Sequence, residues 1–246
     1  MKVIVVGAAG VMGQHVINAL AKKNYECSAL VDIKYKDERK ANEYASLKDV
    51  NADADVIIDF SFHDLTKNIT DFAKKRHIPL VIATTGQTDD EKELIKKASE
   101  EVAIFYSGNM SLGIASLSNA IKVVLSMFPD ADVEIVETHH NRKADAPSGT
   151  AKMLFEAVKE VRPDAYANCG RNGLSKRTKD EVGISSIRVG NVVGIHEVII
   201  GTQNEQITLK HEAYDRSLFA DGAIKAAEFI VGKKNGLYTM KEIFKN

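Results

Sequence analysis

The first thirteen residues, MKVIVVGAAGVMG, place a short apolar run directly before three glycines. The run KVIVV is β-branched and apolar throughout, which is typical of a strand buried on both faces of a parallel sheet. Gly7, Gly10 and Gly13 follow at a spacing of three, and apolar residues between 12 and 20 then recur at helical spacing. The sequence therefore predicts a buried strand, a tight glycine-rich turn and a helix that begins inside this turn.

Strand and helix patterns alternate over about the first 110 residues. CSALVD, ADVIIDFS, IPLVIATTG and EVAIFYSG are typical of further strands, and charged amphipathic segments such as DDEKELIKKASEE separate the later ones. This alternation indicates an α/β domain with a parallel, doubly wound sheet. We predict a Rossmann-type domain of residues 1–109, to which a last predicted helix within residues 217–246 returns.

The pattern changes in the segment between these two parts. A long helix, SLGIASLSNAIKVVLSMF, precedes a strand, ADVEIVETHH, and a helix that starts at SGTAKMLF with Ser148 as its N-cap. ISSIRVG, GIHEVIIG and EQITLKHEA then alternate and turn at Gly and Asn, which predicts antiparallel strands joined by hairpins. We predict a second, α+β domain over residues 110–216 that carries a mixed or antiparallel sheet.

The overall composition excludes several functional classes. The formal net charge is −1, which gives no electrostatic footprint for a nucleic acid or an anionic membrane. No apolar run approaches the roughly 18 residues of a membrane span, and the N-terminal run is too short for a signal peptide. The two cysteines, Cys27 and Cys169, show no metal-ligand spacing and are expected to be reduced thiols. We expect a cytoplasmic protein with no nucleic-acid or membrane partner.

The glycine-rich turn and an acidic residue predict a dinucleotide site. Glycines allow the backbone to approach a pyrophosphate, and the helix N-terminus offers N–H groups and the positive end of its dipole. Asp32 ends the second predicted strand, about twenty residues later, where a carboxylate holds a ribose hydroxyl. The ATTG turn after the fourth strand is expected to border the nicotinamide half, because ligands bind at the carboxyl ends of strands. A tight βα turn without a nucleotide is the alternative.

The stretch ETHHNRKADAPSGTA, residues 137–151, concentrates imidazoles and a cation before a helix start. His139 and His140 end a strand and point to opposite faces, so we expect different roles for them. Lys143 follows in the loop, and the N–H groups of Gly149 and Thr150 begin the next helix, where a carboxylate binds well. The arrangement predicts a site for a small carboxylate substrate that must be protonated.

A zinc site is the sharper alternative for these histidines. His139 or His140 would act with His196 or His211, but Lys143 is nearby and no Cys or HExxH pattern accompanies them. We therefore predict no metal. Arg188 and His196 lie on predicted strands of the second domain, where packing and substrate contact are both open interpretations.

These motifs resemble those of the 4-hydroxy-tetrahydrodipicolinate reductase family, also called dihydrodipicolinate reductase, of lysine and diaminopimelate biosynthesis. The family pattern E-x-H-H-x-x-K-x-D-A-P-S-G-T-A is matched at every fixed position. Supporting segments are GAAGVMG, DFS, ATTG, GNMSLG, SSIRVGNVVGIHEV and FADGAIKAA, so the resemblance covers nearly the whole chain.

The resemblance implies an NAD(P)H-dependent reduction of 4-hydroxy-tetrahydrodipicolinate to tetrahydrodipicolinate. It implies proton transfer by His139 and Lys143, binding of the substrate carboxylates by His140, Gly149 and Thr150, and a homotetramer built through the sheet of the second domain. It also implies a set of residues that contact the cofactor. These are Gly7, Ala8, Ala9, Gly10, Val11, Met12, Asp32, Ala83, Thr84, Thr85, Gly108, Asn109, Met110 and Ser111.

Two departures from the family pattern concern the choice of cofactor. Val11 and Ile33 stand where many members have arginines beside the cofactor phosphates, and Asp32 would repel a 2′-phosphate. We therefore expect NADH to be preferred, with NADPH as the alternative if Lys34 or Lys36 binds the phosphate. Two rival functions remain: another two-domain oxidoreductase acting on a small carboxylate or semialdehyde, and a non-catalytic regulator that binds NAD(H).

Overall fold

The computed structural model describes residues 1–36 and 40–244, and in it the chain forms two compact units. Unit 1 comprises Met1–Ser111 and Arg216–Asn246, and unit 2 comprises Leu112–Asp215. The roles assigned to the two predicted domains, cofactor binding and substrate binding, stay predictions.

Unit 1 contains a seven-stranded sheet in which every pair of neighbouring strands is parallel. Its spatial order is β12-β6-β5-β4-β1-β2-β3. The strands are β1 (Lys2–Val6), β2 (Glu26–Val31), β3 (Glu43–Tyr44), β4 (Val56–Asp59), β5 (Leu80–Ile82), β6 (Ala103–Tyr106) and β12 (Gly236–Tyr238). Successive strands run outward from β1 in both directions, so the predicted doubly wound sheet is confirmed, with its topological switch point between β1 and β4.

The helices of unit 1 have boundaries that local chemistry explains. They are α1 (Val11–Lys22), α2 (Thr66–Arg76), α3 (Asp89–Ala98), α6 (Ser217–Ile230) and α7 (Met240–Ile243), with 3₁₀ turns at Leu47–Asp49 and His63–Leu65. Helix α3 begins with a capping box, in which Thr88 and Glu91 satisfy each other's backbone N–H groups. Helix α1, in contrast, is capped by Gly10, which has no side chain to occupy the helix N-terminus.

Unit 2 contains a five-stranded sheet with two helices packed on one face. The spatial order is β11-β10-β7-β9-β8. The elements are α4 (Leu112–Met127), β7 (Asp132–His139), α5 (Gly149–Lys159), β8 (Tyr166–Cys169), β9 (Glu181–Arg188), β10 (Gly194–Gly201) and β11 (Gln206–Ala213). Along β7, buried and partly exposed residues alternate, and Val133 and Ile135 join Leu154 and Val158 of α5 in one core. Side chains at alternate positions of β7 therefore face the helix layer.

The strand pairing of unit 2 corrects one expectation. Strands β10 and β11 form the predicted antiparallel hairpin, but β9 and β10 are not neighbours, because β7 lies between them. Strand β9 pairs with β7 in parallel, and the segment after β9 bonds back to the end of β7, with the N–H of Val189 donating to His139 O at 2.9 Å. The Gly–Asn sequence after β9 therefore opens a crossing connection and not a tight hairpin. The sheet is mixed.

The structure adds short elements that the sequence pattern did not predict, namely β3, β8, β12 and α7. Within residues 1–36 and 40–244, no helix is both long and apolar enough to cross a membrane.

Candidate active site

The end of β7 brings a buried carboxylate and an imidazole together. Glu137 and His139 are two residues apart on the strand, so both side chains face the helix layer, and they are 0% and 8% exposed. Nδ1 of His139 is hydrogen-bonded to Oε2 of Glu137. His140, the next residue, is only partly buried. The two neighbouring histidines thus occupy different environments, as their places on a strand predict.

Arg188 holds the carboxylate of Glu137 from the neighbouring strand. The parallel register sets Arg188 beside His139, and its guanidinium donates from Nη1 to Oε2 of Glu137 at 2.9 Å and from Nη2 to Oε1 at 2.8 Å. The N–H of Ser148 donates to Oε1 at 3.1 Å. Burial by itself raises the pKa of Glu137, but hydrogen bonds from Arg188, Ser186, His139 and Ser148 outweigh it and lower the pKa to about 2. The carboxylate is therefore ionised at neutral pH.

The uncharged imidazole of His196 packs against the ring of His139. The two rings meet edge to face, with centroids 5.1 Å apart. Burial first, and then the charge of His139, lower the pKa of His196 to about 4. Nε2 of His196 lies 3.3 Å from Oγ of Ser148, which itself accepts the N–H of Ala151 as the N-cap of α5. Ser148 thus links the imidazole of His196 to the first turn of α5.

Lys143 and the start of α5 lie on the exposed side of this cluster. The N–H of Lys143 donates to the carbonyl of His140 at 3.1 Å, and Nζ forms an ion pair with Oδ1 of Asp145 at 2.7 Å. A hydrogen bond from this ammonium lowers the pKa of Asp145. Gly149 and Thr150 form the first turn of α5, which is the positive end of the helix dipole. The predicted substrate-side residues thus lie on one strand, the following loop and one helix start, all in unit 2.

Three of these side chains are close enough to be considered as metal ligands. One ligand atom each of Glu137, His139 and His196 lie within 4.8 Å of one another. However, both oxygens of Glu137 already accept from the guanidinium of Arg188, and His139 donates to one of them. A cation here would have to displace or adjoin the positive charge of Arg188. The donor set therefore fits a proton-transfer cluster better than a metal site.

The glycine-rich turn of unit 1 is closely packed. Gly7 has φ +79°, and a Cβ there would lie 2.6 Å from the carbonyl oxygen of Phe60, whereas a Cβ on Gly13 would lie 2.2 Å from the carbonyl oxygen of Gly7. Glycine is required at both positions, because Gly7 has a positive φ and touches the backbone that follows β4, and α1 touches the backbone of the turn at Gly13. Ala8 is buried beneath the turn, and Ala9, Gly10 and Met12 are partly exposed. The N-terminus of α1, which has no side-chain cap, thus follows a turn whose backbone conformation is fixed by close packing.

Asp32 reaches this turn from the end of β2. Its Oδ2 accepts the N–H of Ala9 and its Oδ1 accepts the N–H of Lys34, both at 3.0 Å. Val11, two residues after Ala9, and Ile33, next to Asp32, are 63% and 67% exposed. The two chain neighbours of these contacts therefore present apolar side chains to solvent.

The other predicted cofactor residues follow β5 and β6. Asp59, at the end of β4, is 2% exposed and accepts from Oγ1 of Thr84 at 2.8 Å, while Thr85 next to it is exposed. Burial raises the pKa of Asp59. After β6, the N–H of Ser111 donates to Oδ1 of Asn109 at 2.9 Å. Ala83 and Met110 are buried, and a Cβ on Gly108 would have no atom within 4 Å. These residues all belong to unit 1, at the carboxyl ends of its strands.

No definite role could be assigned from the sequence to Glu137, Arg188 or Asp59. Glu137 lies in the fifteen-residue motif, which was the available signal, but its partner Arg188 is 51 residues further along the chain. A local sequence pattern does not reveal such a pair, because the pair depends on which strands become neighbours in the sheet.

Comparison with known proteins identifies the family of this chain. Family models described as dihydrodipicolinate reductase, N-terminus and C-terminus, match residues 1–110 and 113–244. The chain belongs to the dihydrodipicolinate reductase family.

Individual members of the family agree in sequence and in fold. The chain is 42% identical to the 4-hydroxy-tetrahydrodipicolinate reductase of Caldanaerobacter subterraneus subsp. tengcongensis, over 100% of this chain and 98% of the relative. It is 41% identical to that of Clostridium novyi, with the same coverage. A dipicolinate-bound dihydrodipicolinate reductase from Paenisporosarcina sp. TG-14 shares the fold, with a TM-score of 0.82, 23% identity and 97% of each chain covered. The resemblance predicted from the motifs is thus confirmed.

Proposed function

We propose that this chain catalyses the NAD(P)H-dependent reduction of 4-hydroxy-tetrahydrodipicolinate to tetrahydrodipicolinate, a step of lysine and diaminopimelate biosynthesis. The observation that carries the proposal is the cluster at the end of β7, found in a chain that matches the family over its full length. His139 is backed by an ionised carboxylate, and Lys143 and the start of α5 follow it directly. This neighbourhood of an imidazole, a lysine and a helix N-terminus supports a proton donor beside an anion site, as the reduction of an anionic cyclic imine requires.

The residues of unit 1 fit a nicotinamide dinucleotide. Gly10 leaves the N-terminus of α1 without a side-chain cap, so its first N–H groups and its dipole suit a pyrophosphate. Asp32 would hold the adenosine ribose, and Ala83–Thr85 with Gly108–Ser111 would line the nicotinamide half at the strand ends. When bound, the cofactor would supply a hydride to C4 of the cyclic imine, after the hydroxyl has been eliminated with a ring hydrogen as water.

NADH is the cofactor that the surroundings of Asp32 favour. Its carboxylate is suited to accept a hydrogen bond from a ribose 2′-hydroxyl and would repel a 2′-phosphate. Val11 and Ile33 offer no charge to a phosphate, and Lys34 and Lys36 are exposed cations further along the loop. NADPH would therefore depend on one of these two lysines.

The chemistry assigned to unit 2 divides between carboxylate binding and proton transfer. His140, Gly149 and Thr150 would bind the substrate carboxylates, the last two through the first turn of α5. Lys143 would donate a proton to the reduced ring, and His139 would donate or accept one through Nε2. Assembly as a homotetramer and a cytoplasmic location belong to the same proposal, which rests on the resemblance to the family.

The decisive experiment supplies the unstable substrate freshly. It is generated from pyruvate and aspartate semialdehyde with the synthase, and consumption of NADH or NADPH is followed by absorbance. The wild type is expected to oxidise the cofactor only when the synthase product is present. No oxidation would defeat the proposal, oxidation with a linear semialdehyde alone would favour another oxidoreductase, and cofactor binding without turnover would favour a regulator.

Lys143→Ala tests the assigned proton donor. We expect kcat to fall by about 10²-fold or more, because general acid catalysis typically contributes 10²–10⁴-fold. Lys152→Ala is the matched control, since it removes an exposed lysine from α5, nine residues later, and should retain wild-type turnover. Equal kcat values for Lys143→Ala and the control would contradict the role of Lys143.

A further inference from the structure

The carboxylate of Glu137 accepts hydrogen bonds on two sides. On one side, Arg188 and the N–H of Ser148 saturate it with donors, and on the other it accepts from Nδ1 of His139. Its side chain is fully buried. Burying an ion pair seldom stabilises a fold more than apolar side chains of the same size would, so stability alone is a weak reason for this arrangement.

The contacts of Glu137 determine which nitrogen of His139 faces the site. An ionised carboxylate can only accept, so Nδ1 must be the protonated nitrogen of the neutral ring. Nε2 then makes no hydrogen bond among the described residues and lies beside Gly194, where a Cβ would come within 3.1 Å of it. Glycine at this position therefore leaves room next to the one nitrogen that is left to exchange a proton.

His196 does not compete for this function. It packs against His139 edge to face, stays neutral at pH 7, and has its Nε2 directed to Ser148. The charged partner of His139 within residues 1–36 and 40–244 is Glu137 alone, as an ion pair.

We propose that Glu137, itself oriented by Arg188, is the positioning residue that keeps the proton of His139 on Nδ1 and presents Nε2 to the substrate. This inference rests on the proposed function for the identity of the substrate, but the positioning itself is a property of this chain. Arg188 acts through Glu137. The two guanidinium donors of Arg188 fix the plane of the Glu137 carboxylate, and the carboxylate in turn fixes the orientation of the His139 ring.

Glu137→Gln tests the positioning, because the amide has a single acceptor oxygen and cannot serve both Arg188 and His139. We expect kcat to fall by about 10²-fold while KM for the substrate and for NADH changes less than threefold, since neither binds to Glu137. Glu134→Gln is the matched control: it removes the same charge from the opposite face of β7 and should leave kcat unchanged. A Glu137→Gln enzyme with kcat within twofold of the control would overturn the proposal.

A second readout does not depend on turnover. In ¹⁵N NMR spectra of histidine-labelled wild type, the neutral ring of His139 is expected to carry its proton on Nδ1 and not on Nε2. In Glu137→Gln, part of the neutral population should move its proton to Nε2, which is a change that a merely structural carboxylate would not cause. Identical tautomers in the two proteins would also overturn the proposal.

Turnover and the tautomer of His139 test the proposed function and the role of Glu137 separately. If the wild type fails to reduce the substrate, the proposed function is wrong, whereas the tautomer of His139 still decides the role of Glu137. If Glu137→Gln does not fold by circular dichroism, the double variant Glu137→Leu with Arg188→Met replaces it, because it leaves neither an unpaired buried charge nor an acceptor for Nδ1 of His139. The same loss of kcat and the same shift of tautomer are expected there, and wild-type behaviour would overturn the inference.

Discussion

At the scale of single residues, Asp32 decides how the adenosine ribose would be recognised. Its two oxygens already accept from Ala9 and Lys34, so the carboxylate is held in place before a cofactor binds. A fixed carboxylate discriminates between a hydroxyl, which donates to it, and a phosphate, which it repels. The proposed preference for NADH therefore rests on a charge and its orientation, without a bulky side chain to exclude the phosphate.

Asp32→Asn is expected to weaken this discrimination. The amide keeps the shape and one acceptor but removes the negative charge, so the ratio of kcat/KM for NADPH to that for NADH should rise by about tenfold. Steady-state kinetics with each cofactor measures the ratio, and Asp53→Asn, which neutralises an exposed carboxylate of the same unit, should not change it. A wild type with a strong NADPH preference would contradict the role given to Asp32.

His196 gives the protein a predicted dependence of stability on pH. Its pKa is lowered from 6.5 to about 4, so between these values the unfolded chain binds a proton that the folded chain does not. The contribution of His196 is therefore fully present above pH 6.5 and is lost as the pH falls toward 4. From pH 7 to pH 5 this loss amounts to about 2 kcal/mol in the free energy of unfolding.

The measurement for His196 compares urea unfolding at pH 7 and pH 5. His196→Gln lacks the titrating ring, so its free energy of unfolding should fall by about 2 kcal/mol less than that of the wild type over this interval. Parallel pH dependence in the two proteins would show that the imidazole is not kept neutral by burial.

At the scale of elements, local sequence patterns predicted the buried strands and the helix caps, which depend on neighbouring residues. The buried runs became β1, β4, β5 and β6, and Ser148 became the N-cap of α5, because strand burial and helix capping depend on neighbouring residues. The position of β9 was predicted wrongly, because a strand pattern states which face is buried but not which strand becomes its neighbour. The two-residue strand β3 carries too short a pattern to be recognised at all.

Gly222 is a second feature that the sequence pattern did not explain. It lies within α6, where glycine is unfavourable, but a Cβ there would come within 1.7 Å of the carbonyl oxygen of Met110. The helix therefore touches the backbone of the segment 108–111, which is proposed to contact the cofactor. Helix α6 therefore packs against residues 108–111 through a backbone contact that only glycine permits.

Gly222→Ala is expected to destabilise unit 1 despite the better helix propensity of alanine. The obstacle is a backbone carbonyl and not a flexible side chain, so we expect a loss of about 3 kcal/mol or more, with weaker NADH binding. Gly201→Ala makes the same change where a Cβ has no atom within 4 Å, and it should be nearly neutral. Thermal unfolding and NADH titration provide the measurements; a Gly222→Ala protein as stable as Gly201→Ala would disprove the contact.

At the scale of the whole molecule, the candidate site could be predicted wherever its residues are close in sequence. His139, His140, Lys143 and Ser148 lie within ten residues, so one strand, one loop and one helix start position them together. Arg188 enters the same cluster only through the parallel pairing of β7 with β9. Long-range pairing of this kind depends on the packing of the entire unit, which a local pattern does not contain.

The sheet of unit 2 has one face that the proposed assembly would cover. Ile187, which is 45% exposed, and the partly exposed Val136, Ile195 and Ile199 lie on the face opposite to α4 and α5, together with the charged Glu134, Glu197 and Lys210. Partly exposed aliphatic side chains among charged ones are suited to a protein–protein interface, whose buried core is apolar and whose rim is polar. This face is therefore the part of unit 2 through which the proposed homotetramer would form.

Ile199→Lys tests the assembly through this face. The new lysine would lie beside Glu134, its cross-strand neighbour on β7, which also pairs with Arg177, so the fold of the monomer should be retained, whereas an aliphatic contact of the interface would be replaced by a buried charge after assembly. We expect light scattering to give a mass of four chains for the wild type and a smaller mass for Ile199→Lys. Ser126→Lys places the same charge on the exposed side of α4, in the opposite layer, and should retain the wild-type mass. A monomeric wild type would rule out the tetramer, and an unchanged mass for Ile199→Lys would exclude this face as its interface.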